Sequence, residues 1–103
     1  MTLTININES SKERFSRLLK LYQGNHEQLI SAMLAFKIND LKKGIKNIKT
    51  DIKYFEKKYE IATADFYDDF INGKITDQND DFLQWAGEYE ALLEFDHELK
   101  ILQ

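Results

Sequence analysis

The side chains of this 103-residue chain best placed to do chemistry are its paired acids, Asp68-Asp69 and Asp80-Asp81. Carboxylate pairs suggest a magnesium site, but neighbouring side chains on a helix point apart, and no His, Lys or Gly-rich loop converges on either pair. The run Asp77-Gln78-Asn79-Asp80-Asp81 lacks the glycine and the closing glutamate of a calcium-binding EF-hand loop. His97 lies between Asp96 and Glu98, the pattern of a solvated helix face, and with no cysteine in the chain two histidines do not make a zinc site. No nucleophile and base stand in a defensible relation. The expectation is a protein that binds rather than catalyses, with no cofactor, no metal and no small-molecule substrate.

Charge says more about binding. Residues 1 to 58 carry twelve Lys/Arg against six Asp/Glu, whereas residues 59 to 103 carry two against twelve, so a net charge of −4 conceals a basic front and an acidic back. This division suits a polyanion at one end and a basic surface at the other. The competing reading is that the two faces neutralise each other within the fold. A chain of this length buries a small core unaided, so a homodimer is expected. No run approaches 18 apolar residues, and Met1-Thr2-Leu3-Thr4 lacks the layout of a signal peptide. A cytoplasmic protein without membrane contact is expected.

The elements that must hold these charges are mainly helical. Leu3, Ile5 and Ile7 alternate with Thr2, Thr4 and Asn6, the period of one short, half-buried strand. Ser10 and Glu13 in capping-box spacing then open a helix over about 9 to 22, with Phe15, Leu18, Leu19 and Tyr22 on one face. Gly24 suits its left-handed stop, and Asn25, with Gln28 three residues on, caps the next helix. Nothing interrupts that second helix before Tyr59. Leu34, Ile38, Leu41, Ile45, Ile48, Ile52, Phe55 and Tyr59 recur at alternating steps of four and three, a heptad seam that packs either between two subunits or on the chain's own last helix. Gly44 costs about 1 kcal/mol against alanine but lies off the seam. Thr63 can cap a short third helix ending at Asn72-Gly73, and a last helix carries Phe82, Trp85, Ala86, Tyr89, Leu92, Leu93 and Leu99.

A single strand in a helical chain leaves its backbone groups unpaired, so the simplest partner is its own copy. Leu3, Ile5 and Ile7 would then be buried, and Thr2, Thr4 and Asn6 would face out from a two-stranded ribbon that fits the DNA major groove. With the strand Thr2-Leu3-Thr4-Ile5-Asn6-Ile7, the helix Ser11-Lys12-Glu13-Arg14-Phe15-Ser16-Arg17-Leu18-Leu19 and the opening Gly24-Asn25-His26-Glu27-Gln28-Leu29-Ile30, the front of the chain resembles the ribbon-helix-helix family of Arc/MetJ/CopG-type DNA-binding dimers. The resemblance covers roughly residues 2 to 43. It implies base contacts from Thr2, Thr4 and Asn6 and a phosphate grip at Asn25 and His26, while Lys12, Arg14 and Arg17 supply further phosphate contacts. Gly24-Asn25-His26 replaces the family's usual Gly-x-Ser/Thr, and the strand carries no Arg or Lys, which leaves it a weak discriminator of bases.

The expected organisation is therefore a ribbon-helix-helix module over 1–43, followed by a helical extension over 44–103 that such a dimer does not require. Many proteins of that family are antitoxins, with a basic DNA-binding front that represses the operon and an acidic tail that masks a basic toxin. The extension looks similar, with Phe66, Phe70, Phe82, Trp85 and Tyr89 as partner anchors among Asp68, Asp69, Asp80, Asp81, Glu88 and Glu90. The same aromatics, at helical spacing, also read as ordinary core. Operator DNA and a cognate toxin are the partners this resemblance implies. A plain repressor without a toxin and a dimeric adaptor without DNA are the alternatives.

Overall fold

Asn8 opens the first helix. In the computed structural model, which describes residues 4–76 and 79–103, its side-chain oxygen accepts the Ser11 N–H at 2.8 Å, so the cap lies two residues ahead of Ser10. Helix α1 spans Glu9–Leu21, α2 His26–Tyr59, α3 Thr63–Ile71 and α4 Asp80–Leu102. Gln23 and Gly24 take φ of 58° and 73° between the first two helices, and the Gly24 N–H closes on the Leu19 carbonyl at 3.0 Å. Asn25 caps α2 as expected, accepting the Gln28 N–H at 3.1 Å. Asn79 opens α4 by accepting the Asp81 N–H at 2.7 Å. Thr63 does not cap α3. It is that helix's first residue, and its N–H and hydroxyl both donate to Glu56 Oε2, at 2.8 and 2.9 Å.

No strand forms among the described residues, which corrects the expected fold class. Residues 4 to 8 are exposed and belong to no helix or sheet; Thr2 and Leu3 lie outside the described residues. Alternation assigns each side chain a face but supplies no backbone partner: the rest of the chain is mostly helix, and the start of α1 at Glu9 leaves only a short exposed segment to offer a second copy. The mainly helical class stands. The ribbon-helix-helix assignment, which requires that strand, does not.

The chain divides into two compact units, residues 1–36 and 37–103, with the division inside α2. In the first unit Leu29 is the one described apolar side chain that is buried, and α1 buries none. The second unit has a proper core. Ile52, Phe55, Phe66, Trp85 and Ala86 form its centre, with Ile48, Tyr59, Tyr67, Phe70, Phe82, Tyr89 and Leu92 packed around them. The heptad question is thereby settled for its C-terminal half: Ile48, Ile52, Phe55 and Tyr59 pack on their own chain's α3 and α4. Leu41 and Ile45 are buried within the same unit.

Trp85 is the hub of this core. Its ring stacks on Phe66 at 3.9 Å with a 4° tilt and lies near Phe55 and Tyr59. Its Nε1–H donates to Thr63 Oγ1 at 3.0 Å, and that hydroxyl donates onward to Glu56, so the only polar atom of a fully buried side chain is satisfied. Elsewhere in the second unit, Gly44 of α2 makes room for a ring of α4: a Cβ there would lie 2.8 Å from Phe95 Cε2. Gly44→Ala should therefore destabilise, despite the gain of up to about 1 kcal/mol in helix propensity. In a Phe95→Leu background the same change should stabilise. A double-mutant cycle by urea denaturation reads the reversal, and stabilisation in both backgrounds would contradict the close approach.

Candidate functional site

The charge is divided unevenly among the helices, with most of the cations on α1 and α2 and most of the acids on α3 and α4, and few of them are paired. Lys58 with Asp81 is the one ion pair among the described residues that joins a cation before residue 59 to an acid after it. Asp81 Oδ2 accepts from Lys58 Nζ and from Tyr59 OH, both at 2.7 Å, tying the end of α2 to the start of α4. The Lys58 bond, followed by that of Tyr59, holds the Asp81 carboxyl below the usual carboxylate range. Asp65 and Asp68 on α3, and Asp80, Glu90, Glu94 and Asp96 on α4, are exposed. Glu90 accepts from Tyr67 OH at 2.8 Å.

One acid is set apart from this solvated group. Glu88 is half-buried, with Oε2 lacking any hydrogen-bond partner. Desolvation, followed by the neighbouring Asp51 carboxyl of α2, pushes its pKa up to about 7. An acid whose folded-state pKa is raised binds more protons folded than unfolded between pH about 4.5 and 7, so stability falls as pH rises through that window. Glu88→Gln should accordingly raise the melting temperature by about 2–4 °C at pH 8 and leave it nearly unchanged at pH 4.5. Thermal melts at the two pH values check this; an equal shift at both would rule out the ionisation as its cause.

In the first unit the outstanding feature is apolar. A cavity of about 480 Å³ is lined by Ile5, Phe15, His26, Leu29, Ile30 and Met33. Leu18, Tyr22, Ala32 and Phe36 line a second hollow that shares Leu29 and Met33. Ile30, Met33 and Phe36 are 50%, 53% and 74% exposed, which is an open face rather than a finished core.

The residues expected to form sites are distributed as follows. Thr4 and Asn6 are exposed on the segment before α1, with no ribbon to present them, and Thr2 lies outside the described residues. The side-chain oxygen of Asn25 is engaged by the Gln28 N–H, and His26 borders the apolar cavity. Lys12, Arg14 and Arg17 are exposed on α1, Lys12 within 3.4 Å of Glu9. Of the expected dimer core, Ile5, Ile7 and Leu34 are exposed, Ile38 and Ile48 are half-buried, and Leu41, Ile45 and Ile52 are buried within the chain; Leu3 is not among the described residues. Of the expected partner anchors, Phe66 and Trp85 are core, and Phe70, Phe82 and Tyr89 pack against it. Their helical spacing is what a helix packed against its neighbours requires, which leaves the acids rather than the rings facing outward.

The exposed side of α2 carries one further feature. Lys42, Lys46, Lys49, Lys53 and Lys57 are all exposed on α2, and no ion pair among the described residues engages them. Their four-three-four-four spacing was the available signal, overshadowed by the apolar heptad that shares the helix. No helix among the described residues is long and apolar enough to cross a membrane. No family model, curated protein or solved structure matches this chain.

Proposed function

We propose that the chain is a cytoplasmic, non-enzymatic antitoxin that acts as a homodimer. Its acidic α3–α4 surface masks a basic toxin protein, and its cationic side chains bind operator DNA to repress its own operon. The observation that carries this reading is the uneven division of charge: α1 and α2 carry most of the cations and α3 and α4 most of the acids, and among the described residues a single ion pair crosses between the two parts of the sequence. Solvated, unneutralised faces of opposite sign favour encounter with two partners of opposite sign. The open apolar face of the first unit supports the dimer, since a helical pair with one buried apolar side chain gains little from folding alone.

The test is co-purification with the product of the adjacent gene. A small basic protein should be retained by the full chain at low salt and lost when Asp68, Glu90, Glu94 and Asp96 are changed to Asn or Gln. Absence of such a neighbour, or retention by the neutralised variant, removes the antitoxin reading. A dimeric adaptor without DNA is the second reading, favoured by the placement of Thr4 and Asn6 on a segment with no ladder. If Thr4→Ala with Asn6→Ala leaves an operator gel shift intact, those side chains are not base readers; if the wild type shifts no operator, the adaptor is the better description.

A further inference from the structure

Five lysines of α2 define a surface with its own partner. At 100° per residue, Lys42, Lys46, Lys49, Lys53 and Lys57 fall within an arc of about 80° and extend for about 22 Å. All are exposed and outside any ion pair among the described residues. Glu56, three residues beyond Lys53 on the same helix, is engaged elsewhere, accepting the Thr63 N–H and hydroxyl. Lys42, Lys46, Lys49 and Lys53 flank a shallow groove of about 370 Å³.

We propose that this stripe binds the phosphate backbone of double-stranded nucleic acid without reading its sequence. Three observations select that partner among anionic surfaces. Over the stretch that carries the lysines the apolar face, Leu41, Ile45, Ile52 and Phe55, is buried, and Tyr54 is the one large apolar side chain exposed there, so this stretch has little to insert into a lipid headgroup layer. One exposed ring, Tyr54, flanks the stripe, short of the row of platforms on which successive single-stranded bases would stack. The cations are all lysines, point charges that meet phosphates without fixing a bidentate geometry, which suits contact that reads no sequence. A duplex running along 22 Å presents about thirteen charges over that length, more than enough to engage every lysine. The inference rests on the DNA-binding part of the proposed function and moves its electrostatic contact onto the second unit.

The test is fluorescence anisotropy of the full chain on a short duplex of arbitrary sequence, at about 50 and 200 mM salt. With five phosphate contacts, affinity should fall about 500-fold between the two. Lys42→Gln, Lys46→Gln, Lys49→Gln and Lys53→Gln together should abolish most binding and leave a fall of about threefold to fourfold. Glutamine keeps the helix propensity of lysine, and circular dichroism verifies the fold. Lys12→Gln with Arg14→Gln and Arg17→Gln should retain most of the salt dependence. The inference is overturned if the α1 variant loses it instead, or if single-stranded DNA or anionic vesicles bind as tightly as the duplex. If the stripe variant still shifts operator DNA with an unchanged salt slope, the inference falls and the proposed function stands. If the wild type binds neither arbitrary duplex nor operator, both DNA claims fall.

Discussion

Trp85→Ala is expected to cost about 3–5 kcal/mol, a large fraction of the about 5–15 kcal/mol that a domain of this size holds. The ring is fully buried, stacks on Phe66, and lies near Phe55 of α2 as well as on its own helix α4. Removing it opens a cavity at the centre of the only extended core among the described residues and takes the donor from Thr63. Trp85→Phe should cost less, since the stack is kept and the loss is chiefly of volume and one buried hydrogen bond. Urea denaturation followed by circular dichroism measures both. A midpoint for Trp85→Ala within experimental error of the wild type would show that the stack is not what holds the second unit together.

If the proposed homodimer forms through the apolar face of the first unit, Ile30→Lys with Met33→Lys is expected to convert it to monomer at micromolar concentration, raising Kd by at least 100-fold, or about 2.7 kcal/mol. Both side chains are about half exposed and line the apolar cavity of the first unit. Lysine there costs the isolated chain little, because its ammonium reaches water while the stem covers the old contact. Against a second copy, the same ammonium would be buried without a partner. Sedimentation equilibrium reads the change, and emission from the single tryptophan reports on the second unit's core independently. Persistence of the dimer would place its interface elsewhere.

The helices were legible because their punctuation is local. Asn25, Asn72-Gly73 and the 3.5-residue recurrence from Leu34 to Tyr59 each act within a turn or two, and the helices start and stop close to where these signals stand. The N-terminal strand failed for the opposite reason. Leu3, Ile5 and Ile7 carry a periodicity, but a ladder is a pairing, and periodicity holds no information about the second member. Trp85 and Phe66 were ambiguous because the same stripe serves a core and a docking face. Their burial depends on where α2 lies, a tertiary fact. Gly44 is similar: its spacing shows it off the seam, but only the approach of Phe95 explains why a helix tolerates glycine there. Glu56 offered no signal, since its role as acceptor for Thr63 depends on a chain reversal between them.

Helix α1 buries no side chain, and thirteen residues are close to the length below which an isolated helix is marginal in water. Its amide protons should exchange with solvent far faster than those beside Trp85, and a protease added to the folded chain should cut first within residues 4–22. Where a second copy covers the apolar face, that vulnerability becomes a function of the chain's own abundance: dilution uncovers the first unit, and degradation begins there. The lifetime of the molecule is then shortest when it is scarcest.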